Sequence, residues 1–307
     1  MSEKSEQQRL SVFKTYKLYV GGKFPRSESG RVYEVTTKTS AADAAGKGKW
    51  LANAPLSSRK DARDAVVAAR KAFGGWSGAT AYNRGQVLYR VAEMLEGRRD
   101  QFVREVADAE GLGKSKAAAV VDATIDRWVW YAGWTDKIAQ VVGGGNPVAG
   151  PFFNLSSPEP TGVVAVLAPQ ESSFLGLVSV LAPVIATGNT AVVVASERSP
   201  LPALSLAEVL ATSDVPGGVV NVLSGRTAEI ATPLAAHQDV NAIDLAGADE
   251  VLAKELEIAA ADNLKRVLRP QPVDYTETPG IDRMTAFLET KTVWHPTGSL
   301  GASGSSY

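Results

Sequence analysis

Two apolar runs, TGVVAVLAP at residues 161–169 and NTAVVVAS at residues 189–196, contain no alternation of apolar and polar side chains. Strands that are buried on both faces have this composition, and they occur in parallel sheets covered by helices. Further strands are predicted at residues 219–223 and 242–245, and helical segments separate all of them. The alternation predicts a doubly wound, Rossmann-like α/β region at residues 161–268, with a ligand crevice at the carboxyl ends of its strands.

A helical part, residues 13–142, precedes the α/β region in the prediction. Ser58 is placed to cap its first helix, which continues through Phe73, and Ser199 is placed to cap a later helix that follows the second buried strand. Aromatic side chains at three-residue spacing line one face of the last N-terminal helix, and we interpret them as helix packing and not as a ligand cage. These aromatic residues are Trp128, Tyr131 and Trp134. The predicted N-terminal helices cover residues 58–73, 83–97, 100–109 and 116–141.

The remaining segments are short. Residues 18–24 predict a hairpin around Gly21 and Gly22, and the small polar residues 37–49 predict a loop. The other predicted segments are a disordered tail at residues 1–12, a hairpin at 143–160, a proline-rich linker at 269–283, a terminal strand at 284–295 and a flexible tail at 296–307.

Composition excludes several classes of function. The 307 residues carry 32 Lys and Arg against 33 Asp and Glu, so we expect neither a nucleic acid nor an anionic membrane as the main partner. The two histidines are far apart in sequence and no cysteine joins them, so no metal site is expected. The absence of cysteine, of an apolar leader and of a membrane-length apolar run predicts a cytoplasmic location.

Several segments together resemble the aldehyde dehydrogenase superfamily in order and spacing. The resemblance implies a dinucleotide-binding domain, a catalytic domain and an oligomerisation hairpin, here residues 143–160. It also implies chemistry in which a Cys thiolate attacks the aldehyde, an Asn amide stabilises the oxyanion, and a Glu activates water after hydride transfer to NAD or NADP. The similar segments are LYVGGKFPRSESGRVYEVT (18–36), AARKAFGGWSGATAYNRGQVLYRVAEMLE (68–96), EPTGVVAVLAPQES (159–172), VIATGNTAVVVASERSPL (184–201), PGGVVNVLSG (216–225) and KTVW (291–294).

The groups that this chemistry needs are missing. The sequence has no cysteine, and Glu171 stands where the family's oxyanion Asn is expected, so its carboxylate would repel the developing charge. We interpret Glu171 as a solvated carboxylate at a helix start, which is favoured over a new catalytic role. The family's Glu-Leu-Gly-Gly segment should follow Leu268, but the chain continues into the linker. No catalytic residue is therefore predicted, and the catalytic domain is interpreted as deleted.

The cofactor site implied by the resemblance also lacks several of the family's binding groups. Glu197, Gly225 and Gly247 occupy cofactor-binding positions of the family, and we interpret them as weak, vestigial ligands. Val194 replaces the lysine that binds the adenosine ribose, and the turn around Gly247 has lost its phosphate-binding hydroxyl. Acidic residues also begin the following helix, where a pyrophosphate would bind. No cofactor is expected, or NAD or NADP only weakly.

These observations lead to three hypotheses. The first is a pseudoenzyme, inactive by itself, that forms a hetero-oligomer with an active aldehyde dehydrogenase paralogue as a structural or regulatory partner. The resemblance implies that the hairpin and the terminal strand would pair with that partner's sheet. The alternative is an NAD(P)-binding oxidoreductase of the family with residual nucleotide affinity in the strand-end crevice. A folded remnant that forms only homodimers remains a third option.

Overall fold

The computed structural model describes residues 12–38 and 48–298. The predicted tail at residues 1–12 therefore falls almost wholly outside the described residues, as do residues 39–47 of the predicted loop and residues 299–307 of the predicted tail. The strands are β1 (Val32–Thr36), β2 (Trp50–Pro55), β3 (Gly144–Asn146), β4 (Phe152–Pro160), β5 (Val163–Leu167), β6 (Thr190–Val194), β7 (Val220–Leu223), β8 (Ala242–Asp244), β9 (Arg266–Leu268) and β10 (Leu288–Pro296). The helices are α1 (Arg59–Ser77), α2 (Ala81–Glu96), α3 (Arg99–Glu110), α4 (Lys114–Trp134), α5 (Ile138–Val142), α6 (Leu175–Ala186), α7 (Leu201–Ala211), α8 (Thr227–Ala235), α9 (Glu250–Ala261) and α10 (Asp282–Thr285).

A five-stranded parallel sheet forms the centre of the fold, in the order β7-β6-β5-β8-β9. The predicted doubly wound α/β class is thereby confirmed. Along the chain, β6 and β7 are added on one side of β5, and β8 and β9 are then added on its other side. This reversal places the topological switch point, and with it the expected ligand crevice, between the carboxyl ends of β5 and β8.

Strand β5 shows no alternation of apolar and polar side chains because both of its faces are buried. Val164 and Val166 pack into one apolar cluster with α4, α6 and α7, whereas Val163, Ala165 and Leu167 pack into a second cluster with α1, α8 and α9. All of these side chains are fully buried. Burial of one such valine or leucine contributes roughly 1.5–3 kcal/mol, so the two helical layers fix this strand at the centre of the sheet.

The N-terminal helices follow the predicted pattern closely, with one early ending. Ser58 caps α1 as predicted, in a reciprocal capping box with Asp61, although the helix continues past Phe73. α4 ends at Trp134 and not near residue 141, and the separate helix α5 follows it. Trp128 and Tyr131 are fully buried and Trp134 packs partly against the same cluster, which agrees with helix packing.

The prediction of Ser199 as a helix cap is wrong. Pro200 is the N-cap of α7, and no side chain caps that helix. The Ser199 hydroxyl donates instead to the Ala109 carbonyl at 2.8 Å, near the end of α3. The hydroxyl is buried there and satisfies a carbonyl of a neighbouring helix end, which is more favourable than leaving that acceptor unpaired.

Two pairings of short strands were not predicted. β1 and β2 form an antiparallel hairpin on either side of the region that was predicted to be a loop, and β9 adds a fifth strand beside β8. The predicted hairpin at residues 18–24 is reduced to one bridge between Val20 and Lys23. Gly21 and Gly22 form its turn with φ values of 60° and 79°, which favour glycine.

A separate three-stranded antiparallel sheet has the order β10-β4-β3. The predicted hairpin is present as β3 and β4, and all nine residues of the terminal strand β10 pair with β4 of the same chain. The strand begins at Leu288 and not at residue 284, because Met284 lies in α10, where it is fully buried. The predicted linker therefore ends as a helix anchored in the core.

None of the helices within the described ranges has the length and apolar character needed to span a lipid bilayer.

Candidate functional site

The carboxyl edge of the parallel sheet holds all four residues that the sequence singled out. Glu171 follows β5, Glu197 follows β6, Gly225 follows β7 and Gly247 follows β8. Because neighbouring parallel strands end at the same edge, the fold brings these positions onto one side of the molecule. Their individual contacts decide what this edge can bind.

Glu197 is occupied by contacts within the chain. One carboxylate oxygen, Oε1, accepts from Arg226 Nη1 at 2.6 Å, and the other, Oε2, accepts from the backbone N–H of Thr227 at 2.9 Å. The second bond satisfies an otherwise free donor at the start of α8, where the helix dipole favours a negative charge. A ribose hydroxyl would have to compete with both contacts.

Gly225 lies in a tightly packed turn. Its φ is 145°, and a Cβ atom here would come within 3.1 Å of the backbone nitrogen of Ser57, so glycine is required at this turn. Nearby, the hydroxyls of Ser57 and Thr227 are buried without a hydrogen-bond partner among the described residues. The Arg226 guanidinium, which lies between Gly225 and Thr227 in sequence, is 5.9 Å from the ring centre of Tyr33. The unsatisfied hydroxyls are the feature of this edge that fits a polar ligand.

Gly247 closes the crevice at the switch point. Its backbone N–H donates to the Leu167 carbonyl at 2.9 Å, across from β8 to β5. A Cβ atom at this position would lie 2.0 Å from the carbonyl oxygen of Ala168. The glycine is thus needed for direct packing of one strand end on the other. The residue was predicted to contact a ligand, but its backbone N–H is used for this contact within the chain.

The start of α9 is occupied by the chain's own carboxylate. Asp249 is its N-cap and accepts from the backbone N–H of Leu252 at 2.8 Å, and Glu250 adds a second negative charge in the first turn. Val194 is buried at the end of β6 and offers no polar group. A pyrophosphate would meet two carboxylates here, so these residues do not fit the phosphate half of a dinucleotide.

Glu171 is not at a helix start, which corrects its interpretation. Helix α6 begins at Leu175, and the Glu171 carboxylate pairs with Lys38 and Arg198 on the surface. The hydrogen bond from Lys38 is the main reason why the pKa of this carboxyl is lowered. Glu171 is therefore a negatively charged side chain held by two cations, which gives it no capacity to donate to an oxyanion.

A cavity of about 290 Å³ lies beyond the end of β9, between the segment at residues 271–283 and helices α4 and α6. Arg127, Tyr131 and Ser179 lie on its inner side, and sequence reasoning did not single out Arg127 or Ser179. Arg127 stands four residues before Tyr131, so both residues lie on one face of α4. An arginine on an otherwise apolar helix face was the signal that could have identified this site.

A buried ion pair adjoins the cavity. Asp244, at the end of β8, pairs with Arg283 of α10. Burial raises the pKa of the Asp244 carboxyl to about 6, although Arg283 opposes the shift. Within the described ranges, no group of three or more His, Asp and Glu side chains is arranged to hold a metal ion.

Comparisons with known proteins agree with the resemblance noted from the sequence. The model of the "Aldehyde dehydrogenase family" matches residues 34–269. "Aldehyde dehydrogenase, cytosolic 1" of Elephantulus edwardii is 31% identical, over 82% of this chain and 49% of its own length. "Putative aldehyde dehydrogenase DhaS" of Bacillus subtilis is 32% identical, over 84% of this chain and 51% of its own.

A solved structure extends the match to the fold. The aldehyde dehydrogenase of Bacillus cereus, determined as an NAD+ complex, superposes with a TM-score of 0.76 at 27% identity, over 83% of this chain and 50% of that chain. The chain thus spans about half the length of these relatives. The matched region covers most of the sequence and contains the central sheet, so the chain belongs to the aldehyde dehydrogenase family.

Proposed function

We propose that this chain is a non-catalytic member of the aldehyde dehydrogenase family that associates with an active, cysteine-containing paralogue as a structural or regulatory subunit. The observation that carries the proposal is the sheet β10-β4-β3, which projects an open strand edge and exposed apolar side chains from a chain that has no cysteine. The family's reaction requires a thiolate nucleophile, and the 307 residues contain none.

The open edge supports an association through strand pairing. Each residue of β10 pairs with β4 on one side, and its other side pairs with no strand in the described part of the chain. A nine-residue edge of this kind is a template for pairing with another chain. Main-chain pairing of this type provides affinity without requiring particular side chains on the partner.

The two faces of this sheet support the same role. Phe153 is 51% exposed and Leu155 is 38% exposed on one face, and Trp294 is 55% exposed on the other. Val293 lies opposite Leu155 in the pairing, and so extends the apolar side of β4 onto β10. Exposed aromatic and aliphatic side chains beside an open edge are typical of surfaces that become buried on association.

Co-expression with an active paralogue from the same cell tests the proposal. This chain alone carries the affinity tag, and light scattering after size exclusion gives the mass of the complex. We expect a hetero-oligomer, and we expect Phe153→Asp to weaken it by at least about tenfold, because a charge would be buried in the apolar contact. Ser157→Asp is the matched control, since it adds the same charge to the same face of β4 at a polar position.

Two results would contradict the proposal. One is elution of this chain free of every cysteine-containing paralogue of its cell. The other is formation of NADH or NADPH from an aldehyde by the purified chain alone. A stable homodimer without hetero-oligomer would favour a folded remnant that associates only with itself.

A second candidate function is residual nucleotide binding at the carboxyl edge. The buried, unpaired hydroxyls of Ser57 and Thr227 beside Gly225 favour it, because such groups are normally satisfied. The acidic start of α9 opposes binding of the phosphates. Calorimetry with NAD and NADP at millimolar concentration tests this candidate, and the absence of both heat and thermal shift would rule it out.

A further inference from the structure

The cavity beyond β9 is enclosed by a segment that stands where the family's general-base segment is expected. Residues 271–283 cross over α4 and α6 and form its outer wall. Two hydrogen bonds hold this wall in place, since Arg127 Nη2 donates to the carbonyls of Tyr275 at 2.7 Å and Glu277 at 3.0 Å. The cavity is thus formed by the path that this particular chain takes after β9.

Arg127 is a buried cation that has no counter-ion in the part of the chain that the structure describes. The residue is 6% exposed, and its other hydrogen bond goes from Nη1 to the hydroxyl of Ser179 at 2.8 Å. All three acceptors are neutral, and no described carboxylate forms an ion pair with its guanidinium. Burial lowers the pKa of Arg127, yet a guanidinium keeps its proton in proteins. A buried charge is usually paired, and among the described residues no carboxylate takes that place.

Tyr131 supplies a donor at the same place. Its ring is fully buried, and its hydroxyl makes no hydrogen bond with the described residues although it borders the cavity. Burial raises the pKa of Tyr131 to about 12, so the hydroxyl is neutral and keeps its proton. A neutral hydroxyl and an uncompensated guanidinium on one face of α4 form the donor set that a carboxylate accepts from.

The other charges around the cavity are paired or exposed. Arg283 is paired with Asp244, and Arg269 is paired with Glu257. Asp274, Glu277 and Asp282 border the cavity from the outer segment, but all three residues are exposed. Water screens these outer carboxylates much more strongly than the buried guanidinium, so the inner side of the cavity is electropositive.

The rest of the lining favours an organic anion over an inorganic one. Leu268, Val273 and Pro279 border the cavity together with the ring of Tyr131, which provides apolar wall beside the donors. A volume of about 290 Å³ is at the small end of the range for ligand pockets. We propose that this cavity binds a small organic carboxylate whose charge is held by Arg127 and Tyr131 and whose apolar body lies against the outer segment.

Calorimetry on the full chain with benzoate and butyrate tests the inference, with benzamide and butyramide as neutral counterparts of the same shape. We expect the carboxylates to bind and to raise the melting temperature, and the amides to do neither. Tyr131→Phe should weaken carboxylate binding about tenfold, because it removes one hydrogen bond to a charged group. The hydroxyl has no hydrogen-bond partner among the described residues, so this variant is expected to fold normally.

Tyr89→Phe is the matched control, since Tyr89 is an exposed tyrosine outside the cavity, and it should bind the carboxylates like the unmodified chain. Arg127→Met should abolish binding. The inference is overturned if neither carboxylate binds, if the amides bind equally well, if Tyr131→Phe binds as tightly as the unmodified chain, or if inorganic phosphate binds more tightly than both carboxylates. Each of these outcomes leaves the proposed association with a paralogue untouched.

Discussion

Two carboxylates near the carboxyl edge of the sheet show how position determines the charge that a side chain can carry. Glu171 lies on the surface between Lys38 and Arg198, and its pKa is lowered. Asp244 is fully buried, and its pKa is raised to about 6 even though Arg283 contacts it. For Asp244, the loss of hydration outweighs the attraction of the paired cation, as is common for buried ion pairs.

The raised pKa of Asp244 predicts that this residue destabilises the fold as the pH rises. The folded state holds the proton more tightly than the unfolded state between the ordinary pKa of 3.8 and about 6. The free energy of unfolding therefore falls by up to about 3 kcal/mol as the pH increases through that window. Below a pH of about 3.8 the carboxyl is protonated in both states, and this loss of stability is absent.

Urea unfolding of the unmodified chain and of Asp244→Asn, from pH about 4 to about 7, measures this contribution. The variant lacks the titrating carboxyl, so the unmodified chain should lose stability relative to it as the pH rises. The absolute stability of the variant is also affected by the unpaired Arg283, and for this reason only the pH dependence of the difference is informative. Parallel pH profiles would show that the pKa of Asp244 is not raised.

At the scale of single elements, the turn after β8 explains why the switch-point crevice is closed. Gly247 packs its backbone directly on the end of β5, and the next helix begins with its own capping carboxylate. This geometry needs a residue without a side chain at one position. It also leaves little room for a ligand between the two strand ends.

Gly247→Ala should lower the free energy of unfolding by about 1–3 kcal/mol or more, because its Cβ would lie 2.0 Å from the Ala168 carbonyl oxygen. Gly74→Ala is the matched control in the interior of α1, where a Cβ meets nothing within 4 Å. That change should stabilise the chain by up to about 1 kcal/mol. Urea denaturation of both variants measures the difference, and equal stability of the two would mean that the turn moves away from β5.

The junction between α10 and β10 is a second element with a clear structural role. Phe287 is fully buried there, and its carbonyl accepts from Thr161 N at 3.2 Å and Asn189 Nδ2 at 2.9 Å. The segment after the linker is therefore bound to the parallel sheet by both its side chain and its backbone. This anchor fixes where β10 begins and presents its open edge.

Phe287→Ala should cost about 3–5 kcal/mol of unfolding free energy, since it leaves a cavity in the core. Phe153→Ala removes the same side chain from the exposed face of β4, and its effect should stay within about 0.5 kcal/mol. Chemical denaturation monitored by circular dichroism gives both values. A small effect of Phe287→Ala would indicate that the terminal segment is not integrated into the fold.

At the scale of the whole molecule, local patterns predicted the central strands and most helices, because apolar runs and helical spacing of apolar residues are visible in the local sequence. β1 and β2 were missed because a polar stretch separates them, and β9 because it is three residues long and depends on β8 for its pairing. The contacts of the site were harder to predict. The pairing of Glu197 with Arg226 depends on β6 and β7 being neighbours, and nothing in either local sequence specifies it.

The groups that the family's reaction requires are missing from several separate elements of this chain. We therefore predict that adding a thiol alone does not create activity. Thioester chemistry needs an oxyanion donor, a base and a bound cofactor around the thiolate. In this chain Glu171 is an exposed carboxylate paired with cations, and the start of α9 opposes a pyrophosphate. The chain also continues from β9 into the segment that encloses the cavity. These features lie in separate elements, so no single substitution replaces them.

Thr278→Cys places a thiol on the cavity wall beyond β9. Combining it with Glu171→Asn restores an amide at the position where the family's oxyanion Asn is expected. We expect neither variant to form NADH or NADPH from an aldehyde above the background of the unmodified chain. A thiol reagent shows whether the new cysteine is accessible, and an active paralogue serves as the positive control. Turnover by the single variant would mean that cofactor and base are already in place, which would contradict the proposed non-catalytic role.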